Sequence, residues 1–266
     1  MSVLKRPIAV ILCSILALAA LGACGRPAPT PPGPTPVLPE GMRTTPSPTS
    51  TVPDLTGRTI AIDPGHNGGN ASHPEEISRP VPDGRGGEKA CNTTGTATDS
   101  GFSEAEFNWE VGRILADELR AAGAEVIMSR EDNDGVGPCV DERGSFADDA
   151  DVMVSIHANG SESTKTNGFH VIVAEPAMSK ELEEPSNRLA TSMSEAMSAT
   201  FTPNTAYGDE GISRRDDLAG LNNSSVPAVI VECGEMRNPA EAKTMESPEG
   251  QREYAMALLR GIVDWY

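Results

Sequence analysis

The sequence predicts an α/β fold: a single domain with a central, mostly parallel (mixed) twisted sheet of about six strands, flanked by helices on both faces. Two observations predict it. Short apolar runs such as "RTIAID" (58–63), "DVMVSIHA" (151–158) and "PAVIVEC" (227–233) alternate with longer stretches of helical periodicity. The helical stretches also carry their own start and stop residues, so the alternation is punctuated as strand, turn, helix, turn.

The elements follow in order. After "RTIAID" comes a long Gly-rich loop reaching to about Ser100. Residues 103–122 are helical, with Ser103 and Glu106 in capping-box spacing and Gly123 as the stop. "AEVIMSR" (124–130) is a strand, "CVDERGSFADDA" holds a short helix, and "DVMVSIHA" is the next strand. "GFHVIVAE" (168–175) follows as a strand, then a helix over roughly 180–200 and a polar loop. "PAVIVEC" is the last strand. A final helix runs from Pro248 to about Trp265, with Ser247 as its N-cap.

The first fifth of the chain is of another kind. Lys5 and Arg6 precede an apolar run over 8–21, too short for a comfortable membrane span and suited to the core of an export signal. "LGAC" (21–24) resembles a bacterial lipobox, which implies that residues 1–23 are removed and that Cys24 carries a lipid; the alternative is ordinary cleavage near Ala23. Residues 24–56 are rich in Pro, Thr and Ser with almost nothing to bury, and are expected to form an extended tether. Residues 57–266 form the folded domain.

Composition removes one class of function. The formal net charge is -18 and no block of Lys or Arg occurs beyond the extreme N-terminus, so a nucleic-acid backbone would be repelled over most of the surface.

"IAIDPGHNGG" (60–69) places His66, one of only four histidines, just past a buried strand among turn residues. A phosphate-cradling loop, a structural turn and a metal ligand all compete there. The first fails on detail, since the stretch has neither the G-x-G-x-x-G spacing nor a G-K-[ST] end. Working groups of open α/β sheets gather beyond the carboxyl ends of strands. Two further strands deliver an ionisable residue there, His157 after "VMVSI" and Glu232 after "AVIV".

A fourth group comes from the 103–122 helix. Phe107, Val111, Ile114, Leu115 and Leu119 form one apolar stripe; Glu104 falls inside it and Glu106 outside. Favourable interaction with the helix dipole explains a carboxylate in the first turn but not one on the core-facing side. His66, Glu104 and His157 around one point make a catalytic zinc set, three protein ligands with a position open for water. Zn²⁺ lowers the pKa of that water towards ~7, and Glu232 is left as general base.

Of five cysteines, Cys13 leaves with the signal and Cys24 is the proposed lipid site. Cys91 and Cys139 both sit in loops of an exported protein and are expected to pair, pinning the long loop. Cys233 abuts a buried strand and reads as an inert thiol. A cysteine nucleophile would have only His73 or His170 as its base; neither is assigned a role.

"IAIDPGH", "SGFSEAEFNWEVGRIL", "AEVIMSRE", "VDERGSFADDADVMVSIHAN" and "PAVIVECGEMRNPAEA" resemble the ordered motifs of the zinc-dependent N-acetylmuramoyl-L-alanine amidases of the Amidase_3 type, over essentially all of residues 57–266. "GRGGEKAC", "GPCVDER" and "DLAGLN" further resemble short exported actinobacterial members.

The resemblance implies a peptidoglycan hydrolase that cleaves the amide between the lactyl group of N-acetylmuramic acid and the L-alanine of the stem peptide. It implies zinc on His66, Glu104 and His157, a catalytic Glu232, and a substrate-contacting Arg215 that clamps stem carboxylates. Such a protein would be a monomer, lipid-anchored through Cys24 on the outer face of the cytoplasmic membrane and facing the cell wall. Cys233 and Glu235 depart from the commoner residues after Glu232. The long 67–100 insertion is a lid, a substrate contact or a tied-down excursion. Two alternatives stand beside this reading: another zinc peptidase or carboxypeptidase acting on stem peptides, and a non-catalytic wall-binding or regulatory lipoprotein. Retention of Glu232 with all three ligands speaks against the last.

Overall fold

The structure, a computed structural model, describes residues 53–208 and 210–266. The export signal, Cys24 and nearly all of the tether lie outside the described residues. The folded body begins slightly before Gly57, because Leu55 is buried in the main core and its N–H bonds Ala122 O at 2.8 Å.

One six-stranded sheet organises the body, in the order β4-β1-β5-β8-β6-β7. Its strands are β1 (Thr59–Pro64), β4 (Glu125–Met128), β5 (Val152–Asn159), β6 (His170–Ala174), β7 (Ile212–Arg215) and β8 (Ala228–Glu235). The β4-β1-β5-β8 block is parallel; β6 runs antiparallel to β8, and β7 pairs parallel with β6. The expected mixed, mostly parallel sheet is present, and its sixth strand is β7, in what the sequence showed only as a polar loop.

The helices are α1 (Pro74–Ile77), α2 (Glu104–Ala121), α3 (Glu142–Ser145), α4 (Lys180–Ser198), α5 (Ala219–Asn222), α6 (Pro239–Met245) and α7 (Pro248–Trp265). Ser103 caps α2 by accepting from Glu106 N, and Ser247 caps α7 by accepting from Gly250 N. Gly123, at φ 94°, ends α2 in the left-handed region that glycine enters at no steric cost.

The two faces of the sheet are covered unequally. Because side chains alternate along a strand, Ile60, Ile62, Val154, Ile156, Val229 and Val231 share one face. There they form the main core with Phe107 and Leu115 of α2, Leu189 and Met193 of α4, and Tyr254 and Leu258 of α7. Met153, Ile172 and Ile230 belong to the other face, in a smaller cluster with Ala61, Ala147 and Leu221. The long helices thus cover one face, and the one-turn α3 and α5 cover the other, leaving part of it open.

The 67–100 insertion has structure of its own. It carries a 3-10 turn at Asn70–Ser72, α1, and an antiparallel hairpin of β2 (Pro80–Pro82) and β3 (Glu88–Ala90). The hairpin is fastened to the body: Arg85 Nε donates to Asn222 Oδ1 at 3.0 Å and Asn222 Nδ2 donates to Asp83 O at 3.1 Å. Beyond it, Cys91 and Cys139 form a disulfide.

Candidate active site

The turn after β1 is shaped to present His66. Gly65 N donates to Ile156 O at 2.9 Å as the last rung of the β1–β5 ladder. A Cβ at Gly65 would collide with the His157 imidazole, so only glycine lets the turn approach that ring. His66 itself lies at φ 58°, a left-handed conformation that costs a non-glycine residue about 1–3 kcal/mol unless its surroundings enforce it.

Two buried guanidinium groups enforce it. Arg143 donates to Asp63 Oδ1 (2.6 Å), Pro64 O (2.8 Å) and His66 O (2.7 Å). Arg130 donates to Pro64 O (2.8 Å) and to Ala105 O at the start of α2 (2.9 Å). Asp63 also accepts from Ser129 and Ser155, at 2.6 and 2.7 Å. Burial opposes the charge of Asp63, but Arg143 and the two hydroxyls outweigh it and hold the carboxyl below its ordinary range.

His66, Glu104 and His157 meet at this edge. His66 Nε2 and His157 Nδ1 stand 3.1 and 2.9 Å from Glu104 Oε1. Glu104 is 4% exposed, at the position where the apolar stripe of α2 placed it, whereas Glu106 is exposed. Its remaining donors are Thr96 N to Oε2 at 2.9 Å, Ala158 N to Oε1 at 3.2 Å and, one turn along α2, Asn108 Nδ2 to Oε1 at 3.5 Å. Burial works against its charge, but His66 and His157 overcome this and lower its pKa well below the ordinary value. Burial likewise pulls His66 down, and Glu104 more than reverses it, leaving that imidazole raised.

The donor chemistry fits a divalent ion. Two imidazole nitrogens and a carboxylate oxygen lie within 4.8 Å of one another, the mixed N/O set that zinc accepts. His66 Nδ1 faces Thr93 O at 3.1 Å. When Nδ1–H donates to that carbonyl, Nε2 of the neutral ring directs a lone pair at the Glu104 carboxylate. A cation between them turns that repulsion into ligation, and the carbonyl bond fixes the tautomer a metal needs.

Glu232 stands beside this group by register. On adjacent strands it pairs with His157 of β5 and, on its other side, with His170 of β6, so the three side chains share a face. Glu232 is partly exposed as a residue, yet its Oε2 is buried with no hydrogen-bond partner. Burial raises its pKa well above the ordinary carboxylate value, the negative fields of Glu104 and Glu235 add to this, and Arg215 opposes it.

These groups open onto a groove of about 590 Å³ that runs down the open face of the sheet, with Met153, Ile172 and Ile230 on its floor. Arg215 lines it too, held by Asp217 through bonds of 2.8 and 2.7 Å.

The other singled-out residues fall elsewhere. Cys233 alternates onto the opposite face, is packed in the main core, and has its thiol pushed well up by burial, so it does not share the groove with Glu232. Glu235 is fully buried and accepts from Asn159 Nδ2, Ser161 N and Asn204 Nδ2 at 2.8, 2.9 and 3.1 Å, tying together loops beside the site. His73 bonds Gly69 O within its own segment.

His170, to which the sequence assigned no role, stands beside Glu232 on the adjacent strand. It is buried, stacked on Tyr207 at 4.7 Å, with Nδ1 unpartnered and its pKa lowered to about 4 by burial and then by Arg215. Strand alternation within "GFHVIVAE" defines which residues share its face; only the β6–β8 register brings it beside Glu232.

The Amidase_3 family model, N-acetylmuramoyl-L-alanine amidase, matches residues 60–264. The N-acetylmuramoyl-L-alanine amidase Rv3717 of Mycobacterium tuberculosis is 41% identical over 219 residues, covering 81% of this chain and 89% of that protein. Among solved structures, the N-acetylmuramyl-L-alanine amidase Ami1 of Mycobacterium smegmatis is 40% identical with a TM-score of 0.76, over 80% of this chain and 98% of that one. Ami1 of Mycobacterium abscessus is 41% identical, also with a TM-score of 0.76, over 79% of this chain and 99% of that one.

Proposed function

The chain belongs to the N-acetylmuramoyl-L-alanine amidase family and is a peptidoglycan amidase, and from that premise we propose that it works as a zinc enzyme with Glu232 as its general base. The bond cut is the amide joining the lactyl group of N-acetylmuramic acid to the L-alanine of the stem. The observation that carries the mechanism is the convergence of His66, Glu104 and His157 next to Glu232 at the head of one groove.

His66, Glu104 and His157 would hold the ion. When bound, zinc supplies Lewis-acid polarisation of the scissile carbonyl and lowers the pKa of the attacking water. Glu232 Oε2, buried and without a partner, is the atom free to take the water's proton and return it to the departing alanine amine. The raised pKa of Glu232 suits that exchange, since a base poised closer to neutrality both accepts and releases a proton readily. The apolar floor of Met153, Ile172 and Ile230 excludes water beneath the substrate, and Arg215 engages a stem carboxylate.

The reading extends to the rest of the chain. Residues 1–23 act as a lipoprotein signal, Cys24 carries the lipid, the stretch from there to just before Leu55 is a tether, and the catalytic domain, expected over 57–266, takes in Leu55 as well. The protein is then a monomer anchored on the outer face of the cytoplasmic membrane. About thirty tether residues at ~3.1 Å each reach up to roughly 90 Å into the wall. The Cys91–Cys139 bridge suits that oxidising location and pins the 67–100 insertion.

Mass spectrometry of muropeptides digested by zinc-loaded protein tests the reading. It predicts products with a free L-alanine amino terminus and an intact stem; release of a terminal D-alanine would instead identify a carboxypeptidase.

A further inference from the structure

The groove carries two cations drawn from distant parts of the chain. Lys89 belongs to β3 of the hairpin and Arg215 ends β7; both line the groove and both are held by Asp217. Arg215 grips the Asp217 carboxylate with two bonds, while Lys89 Nζ donates to the Asp217 carbonyl oxygen and stands 3.8 Å from Oδ2. The three side chains are between 38% and 49% exposed, so both cations remain open to a ligand. Asp217 is the one carboxylate in contact with either cation among the described residues. Asp216 and Glu232 act on Arg215, and Asp83 and Lys89 on each other, only at longer range, so a second carboxylate can still bond both cations. Arg143, the other cation lining the groove, is buried against Asp63 and offers none.

The sheet sets the distance from this pair to Glu232. Arg215 pairs with Ala174 of β6, and His170, four residues earlier on β6, pairs with Glu232. Arg215 and Glu232 therefore share a face, with Cα atoms roughly 16 Å apart by strand spacing and rise. Their side chains span much of that, leaving room for about two residues of extended peptide over Ile172 and Ile230.

We propose that Lys89 and Arg215 form a carboxylate clamp for the second residue of the stem peptide, so that the enzyme prefers stems whose α-carboxylate at that residue is free over stems in which it is amidated. The proposal rests on the amidase reading. A carboxylate only accepts hydrogen bonds and carries the charge opposite to both cations. A primary amide at the same place loses that charge and keeps a single acceptor oxygen for two cations, with its NH2 turned towards a donor.

The test compares two disaccharide-tetrapeptides that differ only in carrying D-glutamate or D-isoglutamine at residue two, using zinc-loaded protein. The expected result is kcat/KM higher for the free acid by on the order of tenfold, with the difference in KM. Lys89→Met narrows the two KM values towards each other. Calorimetry with the dipeptides L-alanyl-D-glutamate and L-alanyl-D-isoglutamine, each with its γ-carboxyl capped as the methylamide, gives the same ranking without turnover. Equal or reversed ranking in both measurements overturns the clamp. If neither substrate is cut, the hydrolase reading fails, and the dipeptide titrations still decide the clamp.

Discussion

Glu232 lies directly across from His157 in the β5–β8 register, so the proposed metal ligand and the proposed general base are placed by one backbone ladder. Slipping either strand by one residue would turn one of the two onto the opposite face, where Val231 and Cys233 are packed. The ladder fixes the spacing of ligand and base more rigidly than a loop could.

Glu232→Gln therefore separates chemistry from assembly. Hydrolysis is expected to fall by on the order of 10²–10⁴-fold. Zinc content and thermal midpoint should stay at wild-type values, since Oε2 of Glu232 bonds nothing in the fold. Turnover assays beside metal analysis check this, and loss of metal in the variant would place Glu232 among the ligands.

Gly65→Ala adds a Cβ where the His157 ring already lies. The ring or the turn must move, so the variant should fold with weakened zinc affinity. Competition with a chromophoric chelator reads that affinity, and wild-type affinity would show that the turn yields freely.

Asp63→Asn breaks the buried pair with Arg143 and leaves a guanidinium uncompensated. The expected loss of stability is about 3–5 kcal/mol. Because the folded pKa of Asp63 is lowered, its contribution is present above the unfolded value of 3.8 and is lost as pH falls through the lower folded value. Denaturant unfolding of both proteins from neutral pH down into that range should show their stabilities converging at the acid end.

Replacing Cys91 and Cys139 by serine removes a cross-link between residues 48 apart in sequence. The chain-entropy model expects a loss of about 2–4 kcal/mol. The hairpin keeps its bonds to Asn222, so the thermal midpoint should drop further than activity at room temperature. An activity loss with an unchanged midpoint would instead assign the bridge to the groove wall.

Much of the site was legible in the sequence because its signals are local. Strand ends carry His157 and Glu232, a turn after a strand carries His66, and helical phase alone turned Glu104 inward and Glu106 outward. What was not legible depends on pairing. Strand β7 reads "ISRR", with arginines that no core pattern would select, and becomes a strand only against β6. The hairpin strands are three polar-flanked residues each, held by a partner and by side-chain bonds to Asn222. The place of His170 beside Glu232 follows from β6 inserting antiparallel next to β8, a topology that no local stretch encodes.

The central claim is that His66, Glu104 and His157 grip one ion. Mass-spectrometric metal analysis of protein stripped by chelator, reloaded with zinc and desalted tests it most directly. The account predicts one zinc per chain in the wild type and almost none in His66→Ala or Glu104→Ala. No retained metal in the wild type, or full retention in both variants, would contradict it.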